Sequence, residues 1–195
     1  MNKNEIIAYF DAAASQWDAH MITDDRKINF IMDAADVKKD WSVLDVACGT
    51  GVMFPYYLRR NVSRVIGVDI SSEMAKIAAK KQNDPRLQVI CGDIETLPVQ
   101  TKCDSCVVYN AFPHFENPER LISVLACWVR TGGRLTVAHS MSLADLRQHH
   151  SGRASYISRE MLNGRELSSF FSPWFDVDIC ISDNEKYVLS GKRRS

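Results

Sequence analysis

The chain has 195 residues, and its 24 Lys and Arg side chains are balanced by 24 Asp and Glu, so the formal charge is zero. This length corresponds to about one average domain, and it supports a hydrophobic core without disulfides or a structural metal. With 46% hydrophobic and 25% charged residues, the composition is that of a soluble globular protein and excludes a disordered, collagen-like or coiled-coil chain. The charge balance argues against a nucleic-acid partner, because non-specific phosphate binding needs excess Lys and Arg.

The sequence contains no predicted membrane or export segment. No apolar run approaches the roughly 18 residues of a transmembrane helix, and the short apolar patch near the start soon meets Asp11. We therefore expect no membrane partner. The six cysteines are expected to be reduced thiols of a cytoplasmic protein; they lie at 48, 91, 103, 106, 127 and 180.

Two amphipathic helices are predicted first, because apolar residues recur at helical spacing from Ile6 to Trp17 and from Ile28 to Ala35. After residue 41, short apolar runs with the length of buried parallel strands alternate with helical patterns. The predicted strands are Val43 to Ala47, Arg64 to Val68, Leu87 to Cys91, Cys106 to Tyr109 and Leu135 to Ala138. Such alternation predicts a parallel sheet covered by helices on both faces.

The helices between these strands have recognisable start and stop signals. One opens at Ser71 and stops before Pro85, and another opens at Pro118 and is predicted to end at Gly132-Gly133. A helix between Met161 and Phe171 and two strands around Asp183 close the chain; these strands are Phe175 to Ile181 and Glu185 to Ser190. No linker or repeat divides the sequence, so we expect one domain over 1–195. Its parts are a helical segment (1–40), a core (41–140) and a closing segment (141–195).

The strongest chemical signal is a buried strand that runs into the glycine turn Cys48-Gly49-Thr50-Gly51 ahead of a helix. Glycines let a backbone approach a ligand closely, and a helix N-terminus offers unpaired N–H groups. Asp45 is an acid in an otherwise apolar strand, where an ionised carboxylate is costly unless a partner satisfies it. The pattern indicates a ligand site at the end of this strand.

Asp69 ends the next strand, eighteen positions after Gly51. Neighbouring parallel strands end side by side, so this carboxylate can accept the two ribose hydroxyls of an adenosine group. Nicotinamide enzymes use the same acid. Their dinucleotide fingerprint, however, needs a third glycine at position 54, where this chain has Phe54.

Asp45, Gly49 and Gly51 match an acid-x-x-x-Gly-x-Gly motif, and here the sequence resembles the class I S-adenosylmethionine-dependent methyltransferases, of the small-molecule, type 11-like kind. The likeness runs from about 41 to 140. It implies a Rossmann-like three-layer α/β sandwich. The sheet would be mostly parallel and seven-stranded with an antiparallel C-terminal strand, under an N-terminal helical lid (1–40). It also implies S-adenosylmethionine as the cofactor, with Asp93 meeting the adenine amino group. The implied cofactor residues are Asp45, Ala47, Cys48, Gly49, Gly51, Asp69, Ile70, Asp93, Ile94, Tyr109 and Asn110.

The segment from Tyr9 to Asp18 resembles the lid of small-molecule methyltransferases, although a helix whose aromatics only pack the core is an alternative. Ligands of open α/β sheets bind outside the carboxyl ends of the strands, where His114 and His139 are predicted. Either could act as a base near neutral pH, or could ligate a metal-bearing or thiol substrate. His149 shares a helix face with Asp145, and a polar surface is the alternative there. The candidate substrate residues are Tyr9, Trp17, His114, His139 and His149.

The sequence thus favours methyl transfer to a small molecule by in-line displacement, in a monomer or weak homodimer. Alternatives are a nucleoside-binding module without transfer and a nicotinamide-dependent oxidoreductase. A nucleic-acid N6-adenine methyltransferase would carry Asn or Asp, Pro, Pro and an aromatic residue where this chain has Asn110-Ala111-Phe112-Pro113. No metal is expected, because the Cys103-x-x-Cys106 pair has no second pair at zinc spacing and opens a strand.

Overall fold

The computed structural model describes residues 2–81, 83–150 and 156–195, except the side chains of 149 and 150. Seven strands form one sheet in the order β3-β2-β1-β4-β5-β7-β6. The strands are β1 Ser42–Val46, β2 Arg64–Asp69, β3 Leu87–Cys91, β4 Cys103–Tyr109, β5 Val129–His139, β6 Phe175–Ser182 and β7 Tyr187–Arg193. The helices are α1 Lys3–His20, α2 Asp25–Ala34, α3 Phe54–Arg59, α4 Ser72–Lys81, α5 Pro118–Trp128, α6 Leu143–His150 and α7 Gly164–Phe171, with a 3₁₀ turn at Phe112–His114. Among these described helices, none is long and apolar enough to cross a bilayer.

The sheet is parallel except at its C-terminal strand. Strands β1 to β5 pair in parallel, whereas β7 runs antiparallel to both β5 and β6, with His139 opposite Tyr187. Hydrophobic clusters cover both faces of the sheet. One cluster joins α5 and α7 to residues such as Leu44, and the other joins α2 and α3 to residues such as Val43. The predicted Rossmann-like three-layer architecture is confirmed.

The alternation of side chains along β1 decides where its acid lies. Successive residues of a strand point to opposite faces, so Asp45 is on the face of Val43, towards α2 and α3. This strand is covered on both faces, which is why Asp45 is 1% exposed. Asp45, which the sequence predicts to lie in a buried strand, is therefore buried in the fold.

The predicted end of α5 at Gly132-Gly133 is wrong. The helix ends at Trp128, β5 begins at Val129, and both glycines lie inside β5. Gly132 has a φ of +75°, and a Cβ at Gly133 would lie 2.6 Å from the Asp104 carbonyl oxygen. These glycines therefore permit a close approach between β5 and the start of β4, where the strand register shifts.

The last helix, Gly164–Phe171, lies within the predicted stretch from Met161 to Phe171. Asn163 caps it: its side chain accepts a hydrogen bond from the Glu166 N–H, and the Glu166 carboxylate accepts one from the Asn163 N–H. This capping box satisfies two backbone donors at once, so it determines where the helix starts. The last strand covers Tyr187–Arg193 and extends beyond the predicted end at Ser190.

Candidate functional site

A cavity of about 480 Å³ lies at the carboxyl ends of β1 to β4, beneath α1. Its volume is in the range that encloses one drug-sized ligand. Ten of the eleven predicted cofactor residues line it: Asp45, Ala47, Cys48, Gly49, Asp69, Ile70, Asp93, Ile94, Tyr109 and Asn110. Residues on four separate strand ends are therefore brought to one wall.

The remaining predicted cofactor residue, Gly51, is not among the residues that line the cavity and packs against Phe54. Its φ is +81°, and a Cβ there would lie 2.6 Å from the ring of Phe54. The same ring lies 2.7 Å from the position of a Cβ on Gly67 in β2. Phe54 thus occupies the close helix–strand contact for which a dinucleotide fingerprint uses its third glycine.

The turn after β1 has an unusual backbone. Ala47 has a φ of +53° and Gly49 a φ of +56°. A non-glycine residue in the left-handed region is uncommon, and such positions cluster at ligand sites. The turn is connected to β2 because the Gly49 N–H donates to Asp69 Oδ2 at 2.7 Å.

Asp69 is 7% exposed and accepts two backbone hydrogen bonds, from Gly49 and, at Oδ1, from the Ser71 N–H at 2.8 Å. Burial raises the pKa of Asp69, and these two N–H groups oppose the shift. Each carboxylate oxygen can accept a further hydrogen bond. The residue is thus oriented by the backbone and retains acceptor capacity for a ligand hydroxyl.

Asp45, unlike Asp69, has a carboxylate oxygen without a hydrogen-bond partner. Among the described residues, no group hydrogen-bonds to its buried Oδ2. Burial, and secondly the charge of Asp69, raise the pKa of Asp45 well above its usual range. Asp45 is among the residues that line the cavity, and its unsatisfied oxygen is an exception to the rule that buried polar groups are hydrogen-bonded.

Asp93 is hydrogen-bonded by a side chain of α1. Lys3, in the first turn of α1, donates from Nζ to Asp93 Oδ2 at 2.6 Å and to Glu95 Oε2 at 2.7 Å. Asp93 Oδ1 accepts the Glu95 N–H at 3.0 Å. An adenine amino group at Asp93 would therefore share the carboxylate with the Lys3 ammonium.

Two aspartates of α1 attach the rest of the lid. Asp11 Oδ1 accepts from the Ser71 hydroxyl at 2.5 Å and from the Glu73 N–H at 3.1 Å. Asp18 accepts from the Thr50 hydroxyl at 2.6 Å and pairs with Lys81 at 2.7 Å. The sequence interpretation missed these contacts, although a spacing of seven places both aspartates on one helix face.

The lid aromatics meet the loop after β4. The ring of Phe10 lies 5.6 Å from that of Trp17 and 5.0 Å from that of His114, both edge to face. These three rings line the cavity. Tyr9 packs outside this wall, with its ring 6.3 Å from that of Tyr156. Phe10 therefore has the position that the sequence suggested for Tyr9.

The two candidate bases lie in different surroundings. His114 is on the cavity wall, with Nδ1 3.0 Å from the Ile157 carbonyl oxygen. The Ser158 hydroxyl also lies 3.1 Å from Nδ1, so this nitrogen has two partners, and its donor or acceptor role depends on the tautomer. His139 is 1% exposed at the end of β5, behind the wall, with its ring 6.4 Å from that of Tyr187. The side chain of His149, another candidate, lies outside the described part of the chain.

Comparisons with known proteins agree with this geometry. Residues 44–137 match the methyltransferase domain family. The chain is 29% identical over 190 residues to a malonyl-(acyl-carrier protein) O-methyltransferase of Hamiltonella defensa subsp. Acyrthosiphon pisum, covering 93% of this chain and 71% of that protein. It matches magnesium protoporphyrin IX methyltransferase of Synechocystis PCC 6803, solved with bound SAH, with a TM-score of 0.74 and 16% identity over 98% of this chain and 100% of that one.

Residues 44–137 thus form a methyltransferase domain, and the chain is similar to the class I S-adenosylmethionine-dependent methyltransferases. This methyltransferase is 29% identical over 129 residues to a malonyl-(acyl-carrier protein) O-methyltransferase of Priestia megaterium, covering 66% of this chain and 44% of that protein. It spans about half or less of the length of most other curated relatives that it matches.

S-adenosylmethionine is the cofactor of this class, and the residues of this methyltransferase fit it. Asp69 has carboxylate oxygens that can accept ribose hydroxyls, Ile70 and Ile94 supply apolar wall for an adenine ring, and Asp45 lines the same cavity. Among the described residues there is no group of three or more His, Cys, Asp or Glu that could hold a metal ion.

Asn110, at the end of β4, stabilises the substrate side of this methyltransferase site. It has a φ of +53°, its Oδ1 accepts the Ser140 N–H at 2.9 Å, and its Nδ2 donates to the Ser140 hydroxyl at 3.1 Å. These bonds join the ends of β4 and β5. These hydrogen bonds therefore fix the backbone at the start of the loop that carries His114.

Proposed function

We propose that the protein transfers the methyl group of S-adenosylmethionine to a small-molecule acceptor. The observation that carries this proposal is a single cavity with two kinds of wall. One wall holds the acids Asp45, Asp69 and Asp93, and the other holds the aromatic lid and His114. Adenosine recognition and a basic nitrogen therefore face the same enclosed space.

When bound, the cofactor supplies an electrophilic methyl group on a sulfonium. The protein then has to align the acceptor and exclude water, and alignment alone can contribute roughly 7–11 kcal/mol at best. Asp69 orients the ribose and Asp93 orients the adenine. Phe10 and Trp17 close the space from the lid side. His114 accepts the proton of the attacking group at Nε2.

His139 is a second candidate base, and its buried position behind the wall makes it the weaker one. Tyr9, Trp17 and His149 remain proposed substrate residues, of which Trp17 lines the cavity. A cytoplasmic location and a monomeric or weakly dimeric state are also inferred from the sequence alone.

Isothermal titration with S-adenosylmethionine and, separately, with NAD tests the cofactor assignment. We expect heat of binding with the first and none with the second. The exposed Asp36 pairs with Lys38 at the opposite edge of the sheet, so Asp36→Asn is a matched control for Asp69→Asn. Binding of NAD without binding of S-adenosylmethionine would contradict the proposal and favour an oxidoreductase.

Transfer itself is tested with methyl-labelled cofactor and a pool of small metabolites, with the label followed by mass spectrometry. Label in a small molecule is expected. If the cofactor binds and no small molecule acquires label, the nucleoside-binding module without activity is the better description.

A further inference from the structure

Residues 156–159 lie between the lid helix α1 and the loop after β4. Ile157 is fully buried and packs against Ile6 of α1 in a small hydrophobic cluster, with the partly buried rings of Tyr9 and Phe10 against them. This cluster is separate from the two clusters that cover the sheet. The side chain of Ile157 is therefore packed with the lid.

Two consecutive residues of the same segment hold one ring nitrogen of His114. Its Nδ1 lies 3.0 Å from the Ile157 carbonyl oxygen and 3.1 Å from the Ser158 hydroxyl. A carbonyl can only accept a hydrogen bond, whereas a hydroxyl can donate or accept one. Nδ1 therefore has a partner whether or not it carries a hydrogen. Such a pair of partners suits a base, because a base has to keep its orientation in both its neutral and its protonated form.

The segment is also bonded to the loop on both sides of His114. The Arg159 backbone N–H donates to the Pro113 carbonyl at 2.9 Å, and Arg159 Nε donates to the Phe115 carbonyl at 3.0 Å. Residues 113–115 are thus connected to residues 157–159 by several hydrogen bonds. A displacement of this segment would therefore displace His114 as well.

The helix α1 reaches His114 by two routes. The ring of Phe10 contacts that of His114 directly, edge to face at 5.0 Å. The second route runs from Ile6 to Ile157, whose carbonyl oxygen lies at Nδ1. Within α1, the buried residues are Ile6 and Ala14, so Ile6 is one of the few apolar anchors of the lid.

The polar contacts of α1 lie at the cofactor wall. Three of them are Lys3 with Asp93, Asp11 with Ser71, and Asp18 with Thr50. The ion pairs of Lys3 and Asp18 are partly exposed, and exposed pairs contribute little to stability. A ligand on this wall therefore adds contacts that are large in comparison with those that hold α1.

We propose that α1 couples cofactor binding to the orientation of His114, because Ile6 holds Ile157, and Ile157 and Ser158 hold the imidazole. Ile157 and Ser158 are then positioning residues, which act through His114. The inference rests on the proposed function, in which His114 is the base and S-adenosylmethionine the cofactor. Coupling between two sites is reciprocal, so a weaker contact between Ile6 and Ile157 loosens His114 and also lowers the affinity for the cofactor.

The alternative is that Ile6 and Ile157 only fill space beneath α1. In that case Ile6→Ala lowers the free energy of unfolding and changes neither the imidazole of His114 nor the affinity for S-adenosylmethionine. Coupling predicts that all three change.

The test is NMR spectroscopy of the histidine ring nitrogens in the full chain at fixed pH, with and without S-adenosylmethionine. The signals of His114 are assigned by their loss in His114→Asn. We expect the cofactor to shift the Nδ1 and Nε2 signals of His114 in the wild type. In Ile6→Ala, these signals should move towards those of a free imidazole.

Calorimetry on the same proteins measures the reciprocal effect. Ile6→Ala should lower the affinity for S-adenosylmethionine by about 3–10-fold, within the range by which residues along a coupling network act. Ile7→Ala is the matched control, since Ile7 is the next residue of α1, is partly buried and lies outside the cluster of Ile6 and Ile157. It should match the wild type in both measurements.

Ser158→Ala removes the hydroxyl at Nδ1 and leaves α1 intact, so it answers the question even if Ile6→Ala unfolds. It should increase the population of the Nδ1–H tautomer, because a hydrogen-free Nδ1 then has no donor among its two partners. Unchanged His114 signals in both Ile6→Ala and Ser158→Ala would overturn the inference. Signals that respond to Ser158→Ala but not to Ile6→Ala would overturn the coupling to α1, and so would equal responses in Ile6→Ala and Ile7→Ala.

The two measurements also distinguish this inference from the proposed function. Binding of S-adenosylmethionine, with His114 signals that respond neither to the cofactor nor to Ile6→Ala, removes the coupling and leaves the methyl-transfer proposal intact. Protein that binds no S-adenosylmethionine contradicts the proposed function, whereas a response of His114 to Ile6→Ala would still support the link from α1 to this ring.

Discussion

The two sides of the cavity differ in how their buried polar groups are satisfied. On the cofactor side, Asp69 accepts two backbone N–H bonds from turns of the domain itself. On the other side, Arg159 Nη2 and the Tyr187 hydroxyl have no partner among the described residues. The first side is oriented by backbone hydrogen bonds, whereas behind the second wall two buried donors have no described partner. Substitutions on the two sides should therefore impair different properties, namely cofactor affinity on the first side and methyl transfer on the second.

The largest effect is expected on the acceptor side, at the candidate base. His114→Asn retains a side-chain amide that can hydrogen-bond to the Ile157 carbonyl and removes the imidazole base. We expect transfer to slow by roughly 10²–10⁴-fold, with cofactor affinity unchanged. The pH–rate profile should also lose its fall towards low pH, because that fall reports protonation of the base. The same losses in His139→Asn, with His114→Asn active, would assign the base to His139.

A smaller effect is expected on the cofactor side. Asp69→Asn removes the charge that accepts ribose hydroxyls and keeps one acceptor oxygen. Hydrogen bonds to charged groups contribute about 1.5–3 kcal/mol each, so the loss of one should lower the affinity for S-adenosylmethionine by about 10–150-fold. Calorimetry of this variant beside Asp36→Asn measures the fall. Equal affinities in the two variants would refute the ribose assignment.

Asp45 should contribute to the pH dependence of the free energy of unfolding. Its pKa is raised in the folded protein, so the folded state binds more protons than the unfolded state above about pH 4. Its contribution to the free energy of unfolding is therefore lost as pH rises towards neutrality. Asp45→Asn should gain about 1–3 kcal/mol over the wild type between pH 4 and pH 7. Urea unfolding at both pH values measures this, and parallel curves for the two proteins would contradict it.

The smallest effect is expected at the lid. Lys3 is half-exposed, and exposed ion pairs contribute about 1 kcal/mol or less. Lys3→Gln should raise the dissociation rate of the cofactor about 2–5-fold at low salt, with the difference lost at high salt. Stopped-flow release beside Lys76→Gln, which breaks the exposed pair with Glu73, measures it. A difference that persists in salt would show that Lys3 acts by packing.

The fold was largely predictable from local patterns, and the errors have local causes. The alternation of strands and helices was predicted correctly. Gly132-Gly133, however, was predicted to end a helix, whereas these glycines permit a close contact between β5 and β4. Nothing in the local sequence distinguishes these two uses of glycine. The helix predicted between Met161 and Phe171 is present, and the capping residue Asn163 sets its first residue at Gly164.

The cofactor side was predictable because its residues belong to consecutive strand ends, and parallel strands bring these ends to one edge. Asp45, Asp69 and the glycine turn could be located from the predicted strand ends, and Asp93 from the family resemblance. The lid contacts and the Arg159 region were not accessible in this way. Lys3 meets Asp93 ninety positions along the chain, and Arg159 meets Phe115 across forty-four. Such partners depend on how α1 and the segment after α6 pack, and no period in the sequence encodes that packing.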